Sequence, residues 1–197
     1  MGFNIEDGTG NGYLAQVTDL NRLKTDTVQR TEREETAISG DAYLIGSGFV
    51  TLTSANQSAV LYFQNDNDFD LVITRFLVGV RASTGGTENH VRGIIIKNPT
   101  AMSGGSSTAL LAPNINFGYS NTLTLNSEIG AEAASLTGGS TYAALVAPVE
   151  SLTTETAATI LPKGSSIGVN IIPPPSNTSL QVSVGINAHR LPNNNGA

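Results

Sequence analysis

His90 and His189 are the chain's two histidines, and imidazole is the side chain most often used as a general base. His90 follows the glycine-containing run Ser83-Thr84-Gly85-Gly86-Thr87-Glu88-Asn89, and His189 ends an alternating apolar segment. Neither lies near a serine in a Gly-x-Ser-x-Gly elbow, the strained turn that exposes a nucleophile. Each therefore reads as a solvated or capping histidine. Asp66, Asp68 and Asp70 alternate along the chain, and alternate carboxylates bind calcium when a loop wraps them round the ion. An EF-hand loop starting at Asp66 needs glycine at its sixth place and glutamate at its twelfth; Leu71 and Leu77 stand there. The plainer reading is a polar hairpin turn, with Asn and Asp serving the turn backbone. Gly8-Thr9-Gly10-Asn11-Gly12 lacks the strand, the helix and the Lys-Ser/Thr pair of a phosphate loop. Residues 101–197 offer only Glu128, Glu132, Glu150 and Glu155 as carboxylate side chains. They lie in loop-like sequence, a thin basis for a glycosidase or lyase. The reading is a non-enzymatic protein with no catalytic residue, metal site, cofactor or small-molecule substrate.

Composition narrows the partners. Net charge is −6 and the pI is near 4.8, which gives no general attraction for phosphate backbones or anionic membranes. The chain is expected to bind neither nucleic acid nor membrane. Its longest apolar runs, such as residues 76–80, are far too short to span a bilayer. The N-terminus has no basic and apolar succession of a signal peptide. Cysteine is absent, which removes disulfides, thiolate ligands and a Cys nucleophile. Charged residues make up 13% of the chain, about half the usual share of roughly 25%. The polar surface must come from Ser, Thr, Asn and Gly, as on β-rich proteins with many turns.

These residues must be positioned by two unlike stretches. Residues 1–40 carry 11 charged side chains and residues 101–197 only six. A segment as polar as 1–40 cannot bury enough apolar surface to fold by itself. It reads as an extended N-terminal arm that orders on a partner, with a short helix possible over 27–37. Phe3, Ile5, Tyr13, Leu20 and Leu23 are the expected partner-binding anchors. Residues 41–191 read as a β-sandwich domain and 192–197 as a flexible tail. Strands are expected at 42–45, 49–53, 59–64, 71–81, 91–97, 109–112, 122–125, 142–146, 159–161, 166–172 and 179–189. The strongest signal is Leu180, Val182, Val184, Ile186 and Ala188, alternating with Gln181, Ser183, Gly185 and Asn187. Leu161-Pro162-Lys163-Gly164 is a turn signal, and Pro173-Pro174-Pro175 must lie outside a central ladder. The pattern predicts an all-β, jelly-roll-like sandwich with its loops at the two ends.

Three blocks resemble small virion structural proteins of tailed bacteriophages. They are Ile5-Glu6-Asp7-Gly8-Thr9-Gly10 through Asn21-Arg22-Leu23, residues 59–65 followed by 70–74, and Leu161-Pro162-Lys163-Gly164-Ser165-Ser166-Ile167-Gly168-Val169. The resemblance implies a capsid decoration or cement protein, a homotrimer with a β-sandwich body and an N-terminal arm. It implies the major capsid protein as partner, synthesis in the bacterial host cytoplasm and a final place on the virion capsid surface. Some similar proteins belong to tails or head fibres, which is the alternative assignment.

Overall fold

A computed structural model describes residues 31–105, 110 and 112–191. The expected arm with its anchors Phe3, Ile5, Tyr13, Leu20 and Leu23, and the tail 192–197, lie outside the described residues. One helix, α1 (Glu32–Ile38), precedes the strands β1 (Ala42–Leu52), β2 (Ser58–Asn65), β3 (Leu71–Thr84) and β4 (His90–Lys97). Then come β5 (Ala101–Ser103), β6 (Leu125–Ile129), β7 (Ser135–Thr137) and β8 (Ser140–Pro148). The chain closes with β9 (Ser151–Leu161), β10 (Ser166–Ile172) and β11 (Ser179–Arg190).

The strands form a four-stranded sheet, β1-β11-β3-β9, and a five-stranded sheet, β6-β2-β10-β4-β8, with β5 and β7 paired as a separate ribbon. The pairing follows one rule: β1 pairs with β11, β2 with β10, β3 with β9 and β4 with β8, all antiparallel. The chain thus folds as one long hairpin of four strand pairs. Rolling that hairpin adds the contacts β11–β3 and β10–β4. This is the jelly roll, the all-β sandwich predicted from the alternation.

The core lies between the sheets. Leu180, Val182, Val184, Ile186 and Ala188 are all buried, as their alternation requires, and meet Leu61, Phe63, Ile95, Val169 and Ile171 from the opposite sheet. Each large side chain so buried contributes roughly 1.5–3 kcal/mol of transfer free energy. The ribbon β5–β7 covers part of the five-stranded sheet's outer face. Met102 and Leu136 pack there on Ala59, Tyr62 and Ala134, so β2 is covered on both sides.

Several expectations need correction. Strands 42–45 and 49–53 are one strand, β1, whose register shifts between Gly46 and Phe49. The bulge breaks the alternation, which made one strand look like two. In the predicted strand 109–112, the described residues Leu110 and Ala112 are irregular, and strand 122–125 is displaced to Leu125–Ile129. Strand 159–161 is the end of the eleven-residue β9. Asp66–Asp70 is not a hairpin turn: β2 and β3 lie in different sheets, so the segment crosses the sandwich. The sequence reading also assigns residues 32–40 to the arm. Here Glu32 begins the compact body. Helix α1 packs against β1 and β11, and Asn116 Nδ2 and Asn114 Nδ2 donate to the carbonyls of Ala37 (2.9 Å) and Gly40 (2.5 Å).

Candidate interaction surface

The histidines do not meet. His189 stands opposite Val72 near the start of β3, whereas His90 follows the loop after Thr84 at the other end of that strand. Twelve residues of extended strand separate the two ends, roughly 40 Å. His90 is half-exposed, and its Nε2 lies 2.9 Å from Glu88 Oε2. His189 is 2% exposed, which corrects the solvated reading for that residue. By alternation it points outward, but it sits where α1 packs against β1 and β11.

The carboxylates are also dispersed. Glu128 is on β6, and Glu150 occupies the β8–β9 turn with φ of 60°. Glu132 is held between the backbone N–H of Thr53, at 2.6 Å, and the Ser54 hydroxyl. Glu155 is on β9. Asp68 bonds the Lys163 ammonium, and Asp70 Oδ1 accepts from the Lys163 N–H at 3.3 Å. Both therefore hold the turn at Pro162–Gly164. Among the described residues no group of three His, Asp or Glu side chains is placed to hold a metal ion. No helix among them is long and apolar enough to cross a membrane.

The structure instead presents an apolar surface that the sequence reading missed. On the outer face of the four-stranded sheet, Phe49, Ser183, Gly79 and Leu152 stand in one rung across β1, β11, β3 and β9. The next rung is Gly46, Gly185, Leu77 and Thr154. Phe49 is 59% exposed and Leu152 62%. They stand three strand spacings apart, roughly 14 Å. Between them the small residues leave a shallow trough, walled on one side by Leu44 and Phe49 and on the other by Leu77 and Leu152. Arg81 lies over the Phe49 ring, 5.7 Å from its centroid. Beside β1 the sheet is continued by residues 113–115, where Leu44 N donates to Pro113 O and Ile115 N to Ala42 O. β9 forms the other edge.

Leu44 and Phe49 lay within predicted strands, but the bulge set their facing. Leu152 lay in a Thr-rich stretch read as loop. Only the strand order brings these residues together.

A scan against protein-family models gives no match, and no curated protein matches the chain. Among solved structures, the T=1 particles derived from infectious bursal virus align with 94% of this chain and 46% of theirs, at 12% identity and a TM-score of 0.18. The chain thus spans less than half of that protein, and so low a score bears on neither fold nor function.

Proposed function

We propose that this protein is a non-enzymatic virion structural protein, a capsid decoration or cement protein that binds and stabilises the outer shell. In this reading its partner is the major capsid protein and its working form is a homotrimer. The observation that carries the reading is the apolar outer face from Phe49 to Leu152, on a jelly roll. Contiguous exposed apolar surface marks a protein-binding face in a stable domain. The sparse charge of residues 101–197 suits such contacts, because interface cores are depleted in charge. Jelly rolls build viral capsid domains and lectins alike, so the fold supports the reading by analogy alone. The sequence blocks that resemble phage virion proteins give it direction. Three copies acting together would gain avidity on a repeating shell without any further contact.

The alternative is a tail or head-fibre protein that recognises the host surface. It draws support from a pinned loop at one end of the sandwich. There the Thr87 N–H and hydroxyl both donate to Pro175 O, at 3.0 and 3.3 Å, which presents the Glu88–His90 pair on a fixed support.

Quantitative mass spectrometry of purified virions separates the two. A copy number in the hundreds, scaling with the major coat protein, is the expected result. A few to a few dozen copies would move the protein to tail or fibre, and absence from particles would overturn both readings.

A further inference from the structure

The edge strands β8 and β9 are consecutive in the chain yet belong to different sheets. They meet at the Pro148–Ser151 turn, where β8 ends and β9 begins and Ser151 Oγ donates to Pro148 O at 2.6 Å. Toward their far ends both are bulged. On β8, Ile95 pairs with Ala143 and Ile96 with Thr141, which leaves Tyr142 as the extra residue. On β9, Ile73 pairs with Thr159 and Arg75 with Thr156, so β9 gains a residue over β3. Bulges at a sheet edge re-aim side chains and end close pairing. The sandwich consequently opens here into a crevice of about 290 Å³.

The floor of the crevice is core: Phe76, Ile95, Leu161 and Ile167 line it, and each is buried from bulk solvent. Tyr142 leans in from one lip, its ring centroid 6.5 Å from that of Phe76. Its hydroxyl meets Thr159 Oγ1 on the other lip at 2.7 Å. The rim carries one cation. Val91, Gly93, Ile95 and Lys97 are alternate residues of β4, and the first and third are core residues. Lys97 thus continues the inward-facing series to the strand's end and lines the crevice mouth. It forms no ion pair among the described residues.

We propose that this crevice binds a small amphiphilic acid, its alkyl tail on Phe76, Ile95 and Ile167 and its carboxylate against the Lys97 ammonium. An apolar pocket with a few polar groups at one end is the usual form of a small-ligand site, and the volume lies near the lower end of the known range of about 300–1,000 Å³. At about 30 Å³ per non-hydrogen atom, the share of a water molecule in the liquid, the space holds roughly ten such atoms. A medium-chain carboxylate such as octanoate has that size.

The test is titration of the full-length, methyl-labelled protein with octanoate by NMR, with octanol as the uncharged comparison. Saturable shifts are expected at the methyls of Ile95, Ile167 and Leu161, with octanoate binding about tenfold tighter than octanol. Lys97→Gln, an exposed change that leaves the core intact, should remove that preference. Thr159→Phe, which fills the mouth, should weaken both ligands. Shifts confined to Leu77 and Leu152 on the outer face would overturn the proposal. So would the absence of saturation, or equal affinity for octanoate in the wild type and both variants.

Discussion

Leu136 on β7 sits over Gly168 on β10, so close that any Cβ added at Gly168 would collide with its side chain. The notch in the sheet is what lets the ribbon lie down. Leu136 then reaches Ala59 and Tyr62 and completes the small outer cluster with Met102 and Ala134. Gly168→Ala should therefore destabilise the protein by about 1 kcal/mol, the low end of the overpacking range, because the colliding atoms are the end of a half-buried leucine that can turn aside. In a Leu136→Ala background the same change should cost almost nothing, because the colliding atoms are gone. A double-mutant cycle by urea unfolding measures the coupling. Additive effects would mean that the ribbon does not depend on the notch.

The crossing between the sheets rests on two asparagines. Asn65 Nδ2 donates to Phe69 O at 2.9 Å and to Leu161 O at 3.0 Å. Asn65 Oδ1 accepts from the Asn67 N–H at 3.1 Å and from Asn67 Nδ2 at 2.8 Å. Asn67 in turn exchanges two bonds with the Thr124 backbone, both at 3.0 Å. Asn65 and Asn67 are buried while Asp66 and Asp68 face solvent. Asn65→Ala leaves several buried groups without partners and should cost about 2–3 kcal/mol. Asp66→Ala should stay within about 0.5 kcal/mol, as surface changes do. Equal losses in the two variants would show that the acidic positions, not the asparagines, hold the crossing.

These cases indicate what a sequence can disclose. The alternation from Leu180 to Ala188 was readable because β11 is central and regular, so burial and period agree from Ser179 to Ile186, before Asn187 and His189 are buried as well. β9 was not, because an edge strand facing solvent carries Thr153-Thr154 and Thr156 where a central strand would carry Val or Ile. The three-residue strands β5 and β7 are too short to show a period at all. Asn65, Asn67 and Asn177 look like loop residues by type. Their burial depends on carbonyls up to 125 positions away, such as that of Leu52 for Asn177. The jelly-roll pairing of first strand with last was likewise a matter of distance along the chain. The outer face needed both the strand order and the β1 bulge before its residues could be placed side by side.

The outer face gives a prediction that separates binding from folding. Phe49 and Leu152 are more than half exposed, so Phe49→Asp and Leu152→Asp should each leave the unfolding midpoint nearly unchanged. Under the proposed function they should weaken self-association or attachment to particles by about tenfold or more, since a charge then has to be desolvated in the contact. Sedimentation of the purified protein and co-sedimentation with capsids report the two steps. Unaltered association and attachment in the double variant would remove this face from the interface.

Acid and base should reach the turn at Pro162–Gly164 through one pair. The side-chain bond between Asp68 and Lys163, and then their mutual charge, hold Asp68 below its ordinary value of 3.8 and Lys163 above 10.5. A depressed carboxylate contributes stability fully above its unfolded pKa and loses it as pH falls through the folded value. A raised ammonium contributes fully below its unfolded pKa and loses it as pH rises through the folded value. The pair is therefore complete across the neutral range and fades only below the ordinary carboxylate range and above pH 10.5. Both side chains are fully exposed to solvent, so the contribution is small. The informative readout is consequently the titration and not the melting point. By NMR, Asp68 should titrate below 3.8 in the wild type, and Asp68→Asn should return Lys163 to near 10.5. An Asp68 midpoint at or above its ordinary value would show that the pair does not form in solution.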